Sequence, residues 1–249
     1  MLDREEKWWL RWHPLARGID PRVRVEWVTR RAAINPARRY CYFRLPKCAN
    51  STVIKTLFRY DPTLEEGPVS ADVHTMKKRF SGLFRARVWT PRQLTANYFC
   101  FSVVRNPYTR VLSAYLDKIA AAEAGQYGFV ARSAGFEEAR GVSFSRFVSF
   151  LESGGLYANP HWAPQVALLP VEPSGLAFLG RVESLDEDLG KLADRLFGEG
   201  TFQGAALRAD RRRGSDIRTA DFYDAELFCR VYRLYRSDFE AFGYSGHPE

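Results

Sequence analysis

The chain has 249 residues, 46% of them hydrophobic and 14% aromatic. That composition excludes a mainly disordered or low-complexity protein and is enough for one large α/β core. Lysine and arginine outnumber aspartate and glutamate by 37 to 29, a net charge of +8 that favours anionic or phosphorylated partners. Cys41, Cys48, Cys100 and Cys229 are scattered, with no CxxC pair, which excludes a zinc ribbon, a CxxC redox centre and a disulfide-dense scaffold and points to a reducing compartment.

The N-terminal stretch MLDREEKWWLRWHP is charged from Asp3 onward, and only Trp8, Trp9 and Leu10 are consecutive and apolar, too few for the core of a signal peptide. No segment reaches the roughly 20 apolar residues of a membrane span, so a cytoplasmic location is expected. Residues 1–38, with Pro14, Pro21 and Pro36, read as an irregular or partly helical lead-in, and 39–249 as a single domain. Arg39 to Leu45 (RYCYFRL) reads as an aromatic-rich strand ended by Pro46. From Ser51, STVIKTLFRY places Val53, Ile54 and Leu57 at helical spacing, with Ser51 as the expected N-cap and Asp61-Pro62 as the stop.

The same strand–loop–helix order returns at Tyr98 to Val104 (YFCFSVV), which runs into Arg105-Asn106-Pro107 and the helical YTRVLSAYLDKIAAAEA, with proline in the first turn. Gly175 to Val182 reads as a third strand, followed by a helix that starts at Ser184, carries acids in its first turn and ends at Gly198. Between these units come a helical stretch, VSFSRFVSFLESGG, and a polar and aromatic loop, LYANPHWAPQ, of the kind that carries sites. After the basic LRADRRRGSDIR, the terminal segment sets Phe228, Val231, Tyr232, Leu234, Tyr235 and Phe239 at amphipathic spacing. Strands alternating with helices predict an α/β protein with a central, mainly parallel sheet flanked by helices.

A strand that feeds a tight loop and then a helix start aims backbone N–H groups and the positive end of the helix dipole at one point, which suits a phosphate or sulfate. Residues 46–52, PKCANST, fit that geometry: Lys47 adds a cation, and Ser51 and Thr52 add hydroxyls. The alternative is a plain turn with an N-cap. The loop is not a Walker A motif, which needs its glycines and a lysine directly followed by the metal-binding hydroxyl. At the end of the second strand, where open parallel sheets hold ligands, Arg105 can fork a phosphate, with Arg110 and Ser113 on the next helix. The alternative there is an arginine that caps a carboxylate and a surface serine. Adjacent strands would bring Lys47 and Arg105 into one crevice.

FRLPKCANST resembles the 5′-phosphosulfate loop, and FSVVRNPYTRVLSAY the 3′-phosphate motif, of the carbohydrate-type sulfotransferases of family 2, which use 3′-phosphoadenosine 5′-phosphosulfate (PAPS). NPHWAPQ is similar to that family's His-Trp-x-Pro segment, LGRVESLDEDL to its Gly-Arg-x-Glu-x-Leu turn, and VYRLYRSDFEAFGY to its C-terminal helix. The resemblance covers roughly residues 39–244, in the family's order. It implies a P-loop-like, three-layer fold working without metal. Lys47 and the backbone of Cys48, Ala49, Asn50, Ser51 and Thr52 would hold the 5′-phosphosulfate, and Arg105 and Ser113 the 3′-phosphate. Lys47 would also stabilise the departing 3′-phosphoadenosine 5′-phosphate (PAP).

The acceptor implied is a hydroxyl on a carbohydrate or glycoconjugate, which must lose its proton as the S–O bond forms, and a histidine suits that task. The resemblance puts the base at the start of a helix, which points to His74. His161 competes for the role; with Trp162 beside it, it reads as a pocket wall or acceptor-orienting group. His13 and His247 lie in the lead-in and the tail. Arg208 to Arg218 are a solvated basic loop or a flap over the phosphates, and Glu183 and Asp188 read as capping or packing acids. Two other functions stay open: a nucleotide kinase or triphosphatase with an atypical loop, dependent on magnesium, and a non-enzymatic module that binds polyanions. Nucleic acid is not an expected partner, because no nucleic-acid motif appears and the arginines do not interleave with exposed aromatics.

Overall fold

The computed structural model describes residues 14–64, 72–85, 89–121, 135–136, 142–203 and 219–247; the basic run Arg208 to Arg218 and His13 lie outside them. The chain forms two compact units, Met1–Val104 with Ala167–Arg211, and Arg105–Val166 with Arg212–Glu249. The strands are β1 (Ala32–Asn35), β2 (Tyr40–Phe43), β3 (Phe99–Val104) and β4 (Phe178–Arg181). The described α-helices are α1 (Val25–Thr29), α2 (Asn50–Tyr60), α3 (Val73–Arg85), α4 (Pro91–Asn97), α5 (Pro107–Tyr115), α6 (Phe144–Glu152), α7 (Leu185–Phe197), α8 (Thr219–Phe222) and α9 (Ala225–Phe242).

The first unit holds the sheet, in the order β1-β2-β3-β4. β2 and β3 pair in parallel with Tyr40 opposite Phe99, β3 and β4 in parallel with Phe101 opposite Phe178, and β1 runs antiparallel to β2. This is the mainly parallel α/β sheet that the alternation of strands and helices predicts. β2 is buried along its whole length, and only Phe99 of β3 is partly exposed, which is why both read as continuous apolar runs with no alternation.

Helix α2 lays Val53, Ile54 and Leu57 against Tyr40, Tyr42 and Phe101, and Phe80 of α3 with Leu185, Leu189 and Leu192 of α7 completes that core. Tyr42 and Phe101 stack with centroids 4.8 Å apart. Full burial of such a side chain contributes about 1.5–3 kcal/mol. Asp61 does more than stop α2. Its buried carboxylate accepts hydrogen bonds from the Tyr40 hydroxyl (2.8 Å) and the Asn35 amide (2.6 Å), fastening the helix end to β1 and β2.

The lead-in is partly helical, as one reading of it allowed, with α1, and beyond that expectation it contains the strand β1. The Asn35 side chain accepts from the N–H groups of Ala37 (3.0 Å) and Arg38 (3.2 Å), an Asx turn after which Arg39 takes a left-handed φ of 54° and the chain reverses into β2.

In the second unit, α5 opens as expected, with Pro107 in its first turn and the Asn106 side chain capping the Tyr108 N–H at 2.9 Å. Ser143 caps α6 through the Arg146 N–H. Of the face expected on the last helix, Val231, Tyr235 and Phe239 are buried, and Phe228, Tyr232 and Leu234 pack against the same cluster, which includes Val111, Leu112, Phe147 and Trp162. Asp238 is fully buried on that face too, which the amphipathic pattern does not announce.

Candidate functional site

Between the end of β2 and the start of α2, Lys47 and Ala49 both adopt left-handed backbone, with φ of 70° and 50°. For residues that carry a Cβ this costs about 1 kcal/mol each. The two left-handed residues fold the 46–49 segment into the tight, concave turn that an anion-binding loop requires. Ala49 stands at the N-cap position without a capping side chain, so the expectation that Ser51 caps the helix is corrected: Ser51 lies inside the first turn. The Thr52 and Val53 N–H groups fold back onto the Ala49 carbonyl (2.9 and 3.1 Å), and the Cys48 N–H onto that of Leu45 (3.3 Å). The backbone N–H of Cys48 and of Thr52, both expected to serve an anion, therefore already have acceptors within the turn. Asn50 and Ser51 supply first-turn donors of the kind a helix start leaves unsatisfied.

The side chains stiffen this loop. The Asn50 side-chain Oδ1 accepts from the Tyr42 hydroxyl (3.0 Å), tying the helix start to β2, and the buried Cys48 thiol leans on the Pro46 backbone carbonyl (3.6 Å) as a filler. The Ser51 hydroxyl accepts from the Lys77 ammonium of α3 at 3.0 Å. Lys77 is the residue that sequence reasoning missed. Burial, and then the positive charges of Arg44 and Arg31, push its ammonium down to about 8.

Arg44 and Arg31 are themselves pushed down to about 10, chiefly by burial, and their hydrogen bonds go to carbonyls. Arg44 donates to the Arg31 (2.9 Å) and Arg30 (2.7 Å) oxygens, and Arg31 to that of Trp27 (3.0 Å). The region beside the loop is thus rich in cations held by neutral groups.

His74 lies in the first turn of α3, exposed, behind a cap that Asp72 provides. The Asp72 carboxylate accepts from the N–H groups of His74 (2.7 Å) and Thr75 (3.3 Å) and from the Thr75 hydroxyl (2.9 Å), which together hold it below the usual carboxylate range. His74 precedes Lys77 by one helical turn, so the two share a side of α3.

In the second unit, Arg105 is buried and its backbone is clamped by Gln165, whose amide accepts from the Arg105 N–H (3.0 Å) and donates to the Arg105 carbonyl (2.9 Å). The Arg105 guanidinium donates to the Thr109 hydroxyl at 3.0 Å. Gln165 is held in turn by Asp238, which accepts from the Gln165 N–H (2.8 Å), the Gln165 amide (3.3 Å) and the Val166 N–H (2.9 Å). Burial raises the Asp238 carboxyl, against the pull of Arg110 and these donors. Ser113 lies buried further along α5.

Arg110 proves to be an anchor: buried, it donates to the Ala163 (2.9 Å) and Pro160 (3.4 Å) carbonyls and fixes the loop around His161. His161 is half-buried with Nδ1 2.7 Å from the Asn159 side-chain oxygen. Trp162, only 1% exposed, donates to the Gly155 carbonyl (2.9 Å) and meets Phe147 edge-on. The indole belongs to the core cluster of the second unit, next to the half-buried His161.

After β4, Asp188 caps the turn as its expected role requires, accepting from the Arg181 N–H (2.7 Å) and the Ser184 hydroxyl (2.8 Å).

Among the described residues there is no cluster of three or more His, Cys, Asp or Glu able to hold a metal ion, and no helix long and apolar enough to cross a membrane. No curated protein and no solved structure matches the chain. The sulfotransferase family matches residues 30–245, beginning just before β1 and ending beyond α9. A match over that length, taking in the strained 46–49 turn, the clamped Arg105 and the Asp238 helix in one frame, means that the chain belongs to the sulfotransferase family, whose activity is sulfuryl transfer.

Proposed function

We propose that this sulfotransferase moves a sulfuryl group from PAPS to a hydroxyl of a carbohydrate or glycoconjugate. The observation that carries the reading is the 46–52 loop: strained at Lys47 and Ala49, opening onto the start of α2, and bordered by lysines. The first-turn N–H groups and Lys47 suit the 5′-phosphosulfate, while the guanidinium of Arg105 and the hydroxyl of Ser113 suit the 3′-phosphate. The cytoplasm fits the buried cysteines Cys41, Cys48 and Cys100, none of which is in a disulfide.

In this reading the acceptor oxygen attacks sulfur in line, His74 takes the hydroxyl proton, and the bond from sulfur to the bridging oxygen breaks. Lys47 then balances the charge that grows on the departing PAP. A transferring sulfuryl group carries less negative charge than a phosphoryl group, so fixed cations and N–H donors suffice for it by the logic that governs phosphoryl transfer. His74 is favoured as base because it stands one turn from Lys77, which reaches the loop itself.

The test is transfer of labelled sulfate from PAPS to a panel of mono-, oligo- and glycolipid saccharides. Replacing His74 by Ala should lower turnover by about 10²- to 10⁴-fold with PAP affinity unchanged. Full turnover in His74→Ala with loss in His161→Ala would move the base to His161.

A further inference from the structure

We infer that Lys77 binds the sulfonate of the donor, as a second cation beside Lys47, from the place it already occupies 3.0 Å from the Ser51 hydroxyl at the start of α2. The inference rests on the sulfotransfer reading above and adds to it a residue that the motifs do not contain.

The first argument is position. Ser51 belongs to the first turn of α2, so an ammonium that reaches its hydroxyl stands where that helix start directs its donors. The second is charge. Lys77, Arg31 and Arg44 crowd together, and their hydrogen bonds go to one hydroxyl and to backbone carbonyls. The carboxylate that acts on Arg31, Glu26, is paired with Arg30 at 3.0 Å. Among the described residues no carboxylate is bonded to any of the three, so the cations repel one another, and an anion bound beside them relieves that repulsion. The third is reach. A lysine is a mobile point charge with three donors, able to leave a serine for a sulfonate oxygen, whereas the two arginines are committed to carbonyls.

The groups that bear on its charge are Arg44 and Arg31 from the segments flanking β1 and β2, Ser51 of α2, and His74 on its own helix. With the ammonium lowered to about 8, its grip should weaken as the pH rises past that value.

Calorimetric titration of the full chain with PAPS and with PAP, from about pH 6.5 to 9.5, separates sulfonate binding from nucleotide binding. Lys77→Met is expected to lose about 10- to 100-fold in PAPS affinity and to keep its PAP affinity. The wild-type preference for PAPS over PAP should decline above about pH 8, and Lys77→Arg should hold it constant there. If Lys77→Met binds both nucleotides as the wild type does, or loses both alike, the inference fails and the sulfotransfer reading stands. If the wild type binds neither nucleotide, both fail together. Should Lys77→Met not fold, Lys77→Arg decides: a preference that falls with pH as in the wild type overturns the inference.

Discussion

Lys77 and Asp238 are charges that the fold keeps where solvation would not. The lowered Lys77 ammonium means that its charged form is disfavoured in the folded state, a cost present in full below about pH 8 and removed as the pH rises toward the ordinary lysine value of 10.5. Lys77→Met should therefore melt at a higher temperature than the wild type at pH 7, and the difference should shrink above pH 8; a lower melting point at pH 7 would show that the Ser51 bond outweighs the repulsion. Asp238 behaves differently, because its oxygens satisfy the buried N–H groups of Gln165 and Val166. Asp238→Ala leaves both unpaired and should cost about 2–5 kcal/mol in urea unfolding. Gln165→Ala frees the Arg105 backbone and should weaken PAP binding about tenfold while sparing adenosine 5′-phosphosulfate, which lacks the 3′-phosphate; equal losses would mean that the clamp serves only stability. Neither residue was legible in the sequence. A lysine in the basic run Lys77-Lys78-Arg79 and an acid near the end of an amphipathic helix look like solvated groups, and only the tertiary fold turns them inward. Arg105 was legible because it directly follows the apolar strand β3, and Lys47 because it follows the proline that ends the apolar run of β2, where the chain has to turn.

At the scale of elements, β2, α2, β3, α5 and α7 were readable because their apolar runs, Pro107 and Gly198 mark type and boundary locally. β1 was not: Ala32–Asn35 is four residues, half of them alanine, with no alternation, and pairing with β2 makes it a strand. The start of α2 was misread for a related reason. A serine at the beginning of an apolar periodicity is the usual cap, yet here the left-handed Ala49 takes that place and Ser51 is left to face Lys77. Ala49→Gly should relieve the backbone and stabilise the protein by about 0.5–1 kcal/mol, whereas Ala49→Val should destabilise it. A loss of stability in the glycine variant by chemical denaturation would remove the claim that the loop is held under strain.

For the whole molecule, the +8 charge and the cation-rich loop are the large-scale and local faces of one preference for an anionic ligand. A donor that binds only the folded protein must also stabilise it. PAP at a hundred times its dissociation constant should add about 2.7 kcal/mol, visible as a rise in melting temperature. The most direct measurement is calorimetric titration with PAP beside ATP and ADP, with and without magnesium, repeated on Lys47→Ala and Arg105→Ala. The account predicts metal-independent binding of the 3′-phosphorylated nucleotide, preferred over ATP and ADP and lost in both variants. Absence of PAP binding, or a magnesium-dependent preference for ATP, would contradict it.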